Sequence, residues 1–230
     1  MGSQFTDPSC DHYHMATHAG GVFRWAAPVF RAADRRWRAA DVATFADYLQ
    51  PFVSPQGRLL DVGGGTGGLA GRLARKLACT VTVVDRSPHM LRYARGIPGV
   101  EAVVGDAAAL PLADDRFDAA LVCDAFHHFD APDAALAEIA RVVRPGGGVV
   151  VAELDPDRPS IRAVAMLERL LREPAGFVSP QEMERLMARV GVVGSARRQR
   201  GAAYVFIGVV ADQTSSSTVG EPVDGDRSGG

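Results

Sequence analysis

The chain lacks the features on which several common protein roles depend. Three cysteines, Cys10, Cys79 and Cys123, are scattered through 230 residues with no C-x-x-C pair. That excludes a disulfide framework and a thiolate zinc site, and it suits a reducing compartment. No run of about 18 apolar residues is available to span a bilayer, and the polar, His-rich start lacks the apolar centre of a signal peptide. A cytoplasmic protein without integral membrane association is therefore expected. Charge of either sign is not in excess either: 25 basic residues against 27 acidic ones leave a formal charge of -2. A nucleic-acid partner is not expected from so small an imbalance. No internal repeat is visible.

What is present is an ordinary globular composition, 47% hydrophobic and 23% charged, in a length that suits one α/β domain with an appendage. From Arg58 to about Glu153, short β-branched runs alternate with helical patterns, the signature of βαβ units and a parallel sheet. Strands are expected at Arg58–Val62, at 80–85, ending at Gly105, within 117–124, and at "GVVVAEL". Helices are expected at about Leu69–Leu77, after the Ser87-Pro88 cap, and at Pro132–Val143, where an "RPGGG" turn stops the helix. Ser179, Pro180 and Glu182 resemble a capping box opening another helix. Apolar runs at Val192–Val193 and 202–210 would form an antiparallel hairpin at one sheet edge.

The expected fold is thus a doubly wound, mostly parallel, Rossmann-like seven-stranded sheet with an antiparallel C-terminal edge strand and an N-terminal helical cap. In domain terms, residues 1–50 form a segment and cap, 51–211 the main domain with a substrate-side insertion at 154–178, and 212–230 a Ser-, Gly- and acid-rich disordered tail. The stretch 21–50 interleaves Phe23, Trp25, Phe30, Trp37, Phe45 and Tyr48 with arginines. It reads either as an amphipathic cap packed on the domain or as a lid over the site.

The densest signal is "LLDVGGGTGGLA" at 59–70. Gly63, Gly65 and Gly68 fit the G-x-G-x-x-G of dinucleotide enzymes, whereas Asp61, Gly63, Gly65 and Gly67 give the D-x-G-x-G of S-adenosylmethionine (SAM) enzymes. Either ligand uses a turn whose glycines let backbone approach it, and either has a ribose for Asp85 at the end of the second strand. Asp61 separates them: a carboxylate there repels a pyrophosphate and favours the ammonium and sulfonium charges of SAM. Asp106, after the third strand, offers an acceptor for an adenine amino group. Each aspartate alone could be a turn residue; three at successive strand ends argue for a ligand.

With these motifs in series, the chain resembles the class I SAM-dependent methyltransferases, and within them the ubiquinone/menaquinone-biosynthesis C-methyltransferase-like group. The resemblance covers roughly Arg58 to Glu153 through "LLDVGGGTGGLA", "VVDRSPHML", "GDAAALPLADDRFDAALVCDAFHHF" and "AEIARVVRPGGGVVVAEL". It implies SAM as cofactor, held by Asp61, Gly63, Gly64, Gly65, Gly67, Asp85, Arg86, Met90, Gly105, Asp106, Ala107, Cys123, Asp124 and His128. After the fourth strand the quinone enzymes carry an F-G-x-R-N type sequence, whereas this chain reads "FHHFD". The N-P-P-Y-type sequence of base-modifying amino-methyltransferases is absent there as well.

Methyl transfer from a sulfonium needs neither a metal nor a covalent enzyme intermediate, so positioning is most of the catalysis. Where the acceptor carries a proton, histidine is the natural base. His127 and His128 after the fourth strand are candidates, with a structural hydrogen-bonding role as the alternative. The segment "CDHYHMATH" gathers Cys10, Asp11, His12, His14 and His18. It reads as a metal-ligand set, a metal-free contribution at the site mouth through Tyr13 or His18, or a solvated segment; no metal is assigned. Ile161, Val164, Leu167, Leu170 and Leu171 form a helical stripe, and Met166 and Phe177 would suit a partly apolar acceptor. The function expected is methyl transfer to a small organic molecule; a nicotinamide-dependent oxidoreductase and a non-catalytic SAM-binding regulator are the alternatives.

Overall fold

The computed structural model describes residues 27–28, 31–32, 37–159, 161, 176–199 and 201–212. Seven strands form one sheet in the order β3-β2-β1-β4-β5-β7-β6. They are β1 (Arg58–Val62), β2 (Thr80–Asp85), β3 (Val100–Val104), β4 (Phe117–Cys123), β5 (Val143–Leu154), β6 (Val192–Arg198) and β7 (Ala203–Val210). Strands β1 to β5 pair in parallel, while β7 runs antiparallel to both β5 and β6.

Both faces of the sheet are covered, as a parallel sheet requires. Leu59, Leu121 and Val150 face one way, packing with α1 (Ala39–Leu49) and α2 (Ala70–Leu77). Their neighbours Leu60, Val122 and Val149 face the other way, with α4 (Pro132–Val142) and α5 (Pro180–Arg189). The period-two alternation of strands and the apolar stripes of helices thus build two cores, one on each face. Helix α3 (Pro88–Ala94) begins as expected: Ser87 Oγ accepts from the Met90 amide at 3.3 Å, with Pro88 at the first position. At α5 the Ser179 half of the box is present, Oγ accepting from the Glu182 amide at 3.2 Å, while the Glu182 carboxylate pairs with Arg185 at 2.6 Å.

Two details differ from the sequence reading. "RPGGG" does not end the helix as a free turn; it lies within β5 as an irregularity, because Phe117 pairs with Val143 and Ala119 with Gly148. Gly146, at φ +74°, supplies the left-handed residue such a detour needs. The C-terminal strand β7 is also not outermost. It is inserted between β5 and β6 because Tyr204 and Phe206 on one face and Val205 on the other all need cover, whereas β6 has mostly exposed residues and tolerates the edge. No helix among the described residues is long and apolar enough to cross a membrane.

Tyr13, His18 and the rest of the Cys10–His18 segment lie outside the described residues, as do most of 21–36, residues 162–175 and the tail beyond Asp212.

Candidate cofactor and acceptor site

The strand order reverses at β1, with β2 on one side and β4 on the other. Ligands of open α/β sheets sit in the crevice at such a switch point, beyond the carboxyl ends of the strands. The glycine turn lies there. Gly63, Gly65 and Gly67 have φ of +75°, +56° and +72°, the left-handed region that favours glycine. Gly64 has a different reason to be glycine: a Cβ would stand 2.4 Å from Asp61 Oδ2, so the carboxylate lies against the bare backbone.

Asp61 is 3% exposed, and among the described residues no basic side chain forms an ion pair with it. Burial, and then the neighbouring charge of Asp85, push its pKa up to about 7. Asp85 is half-buried; Oδ2 accepts from the Gly65 amide at 3.0 Å and Oδ1 from the Ser87 amide at 2.8 Å. Burial raises its pKa and those two amides counter the rise. The carboxylate thereby ties β2 to the glycine turn, and each oxygen retains a lone pair for a ribose hydroxyl.

Asp106 is exposed at the end of β3, with Oδ1 accepting from the Ala108 amide at 2.9 Å. Ala107 beside it is buried, and Gly105 is wedged against Pro111. Met90, in α3, is 5% exposed. Cys123 is half-buried at the end of β4, and Asp124 follows in a left-handed turn at φ +54°, a conformation Asp tolerates better than most residues. Residues from the ends of β1, β2, β3 and β4 are therefore brought to one crevice.

The histidine pair divides. His127 is 3% exposed, with Nδ1 2.8 Å from Glu153 Oε2. Its ring meets the tilted ring of His128 at a centroid distance of 4.0 Å and stacks on Phe177 at 4.3 Å. The Gly176 amide donates to the His127 carbonyl at 3.0 Å, so the far end of the 154–178 insertion docks on this ring. His128 is only half-buried. Glu153 was not singled out by its sequence. Its Oε1 accepts from the amides of Ala125 at 2.9 Å and Phe126 at 2.7 Å, holding the turn after β4 in place. The available signal was an acid inside an otherwise apolar buried strand, which must have partners. Asp124, His127 and Glu153 place ligand-capable atoms within 4.8 Å of one another. Glu153 is already engaged by amides and a ring nitrogen, so the cluster reads as a hydrogen-bonded network.

A parallel sheet with a glycine turn at its switch point and acids at successive strand ends is the fold of class I SAM-dependent methyltransferases. Residues 60–151 match the methyltransferase domain family. An uncharacterized methyltransferase of Mycobacterium tuberculosis is 43% identical over 102 residues, 44% of this chain and 40% of that protein. The ubiquinone/menaquinone biosynthesis C-methyltransferase of Cupriavidus necator is 32% identical over 158 residues, 62% of this chain and 63% of that protein. The chain spans less than two thirds of the length of these curated relatives. A solved SAM-dependent methyltransferase of Thermotoga maritima superposes with a TM-score of 0.65 at 24% identity, covering 82% of this chain and 98% of that one, a likeness of fold. These relatives are methyltransferases, and none of this supports the oxidoreductase alternative.

Proposed function

We propose that the protein binds SAM in the β1–β4 crevice and transfers its methyl group to a small organic acceptor. The observation that carries this reading is the buried Asp61 carboxylate under the glycine turn, for which a cationic sulfur nucleoside would supply the missing counter-charge. The residues fit that cofactor: Asp61 for the cationic portion, Asp85 for the ribose, Asp106 and the backbone at Ala107 for adenine, and the turn at Cys123 and Asp124 with His128 for the methionine portion. When bound, SAM supplies a methyl group already activated by a positive sulfur, which calls for alignment more than for chemical assistance from the protein.

On this reading the two histidines have different roles. His127, stacked on Phe177 and tied to Glu153, orients the turn after β4. His128, at the more open position, takes the acceptor's proton where there is one. Phe177, stacked on His127 at the end of the insertion, walls the acceptor side. Composition supports a cytoplasmic setting and argues against a nucleic-acid acceptor.

Incubation with SAM and a broad panel of phenols, thiols, amines and carbon acids tests the reading, with S-adenosylhomocysteine as the measured product. Its formation with at least one acceptor is expected. Tight SAM binding with no product across the panel would favour a regulatory binder, and a melting shift with NAD(P)H but not with SAM would overturn the proposal.

A further inference from the structure

Arg86 follows the ribose-side acid Asp85, yet its principal partner is not a neighbour in sequence. Nη1 donates to Asp130 Oδ2 at 2.5 Å, and Nε stands 3.7 Å from Asp106 Oδ2. Asp130 lies on the loop between the 3₁₀ turn 126–128 and α4, downstream of β4. β2 and β4 are not adjacent; β1 lies between them and delivers the glycine turn into the gap. An ion pair from the end of β2 to the loop beyond β4 therefore crosses the crevice at its switch point. Asp85, Asp106 and Asp130 all act on the Arg86 guanidinium and hold it in the charged form.

From this bridge we infer that Arg86 is a positioning residue for the adenosine end of the cofactor and that Asp130 acts through Arg86 to hold it across the crevice. The inference rests on the cofactor reading above. A planar guanidinium can lie against an adenine face, and a carboxylate that does not itself touch the nucleoside can keep it there. Because the pair must open for the nucleoside to leave, its contribution falls mainly on the dissociation rate. Both side chains are substantially exposed, 40% for Arg86 and 53% for Asp130, so the effect should be several-fold and weakened by salt.

The test is the dissociation rate of S-adenosylhomocysteine, by stopped flow or surface plasmon resonance, for wild type, Arg86→Met, Asp130→Asn, Asp130→Glu and the double variant Arg86→Met/Asp130→Asn. Melting curves confirm that each is folded. Asp130→Asn and Arg86→Met should each release the nucleoside about threefold to fivefold faster. Asp130→Glu should restore slow release, and the double variant should be no faster than Arg86→Met alone, because the two residues act as one unit. High salt should accelerate release from wild type and leave Arg86→Met unchanged. Asp130→Asn release equal to wild type, or multiplicative effects in the double variant, would overturn the inference while leaving the cofactor reading intact. Failure of wild type to bind either nucleoside would overturn both.

Discussion

Replacing Asp61 by Asn should stabilise the ligand-free protein and weaken its cofactor affinity at the same time. The carboxyl is buried beside Asp85, and its pKa rises from 3.8 to about 7 on folding. In this direction of shift the folded state holds the proton more tightly than the unfolded chain. Stability is therefore fully present below the unfolded value, falls as pH rises through the folded one, and is level above it. Three pH units at 1.36 kcal/mol each amount to roughly 4 kcal/mol lost by pH 8. An amide cannot ionise, so Asp61→Asn should recover most of that. At about 2–4 °C per kcal/mol for a chain of this size, its melting temperature at pH 8 should exceed wild type by about 10 °C. Near pH 4 the two proteins should converge. SAM binding should move oppositely. Only the ionised carboxylate attracts the cation, and its population rises roughly tenfold between about pH 6 and pH 8, so the affinity advantage of wild type over Asp61→Asn should grow by nearly that factor. Calorimetric scans across pH, without ligand and with saturating SAM, measure both. An Asn variant melting at or below wild type at pH 8 would refute the reasoning, since Asp61 would then not be a strained counter-ion awaiting a cation.

Other substitutions test separate parts of the site. Asp85→Ala should weaken SAM binding by at least tenfold, about 1.4 kcal/mol, by isothermal titration, because the ribose acceptor and the tie to Gly65 are lost together. Gly67→Ala puts a Cβ 2.9 Å from that of Ala94 at a φ of +72°, and should cost about 1–3 kcal/mol in chemical denaturation. Glu153→Ala leaves two buried amides and His127 without their acceptor and should cost roughly 3 kcal/mol by the same assay, with Glu153→Gln milder. Tyr204→Phe should be stabilising by about 1 kcal/mol, since the buried hydroxyl has no hydrogen-bond partner among the described residues.

Much of the architecture was legible in the chain itself because its signals are local. Alternation in "TVTVVD" fixes a buried strand, Ser87-Pro88 starts a helix, and the left-handed φ values of Gly63, Gly65 and Gly67 explain the glycines of the turn. The acids at the ends of β1, β2 and β3 could be found by counting from strand to strand. What one dimension does not encode is which distant segments become neighbours. The position of β7 inside β6 depends on how much apolar surface each leaves to cover, a comparison made only when both meet the sheet. The burial that turns Asp61 from a turn residue into a carboxylate titrating near neutrality is likewise a tertiary property, since it arises from the packing around β1. His127 and His128 look equivalent in "FHHF", and only Glu153 and Phe177, 26 and 50 positions away, separate a locked ring from a more open one. The sequence thus determined the elements and the kind of ligand, because spacing and residue type act over a few positions. The tertiary structure decided each group's protonation, exposure and partners, because those depend on everything the fold brings within a few ångströms.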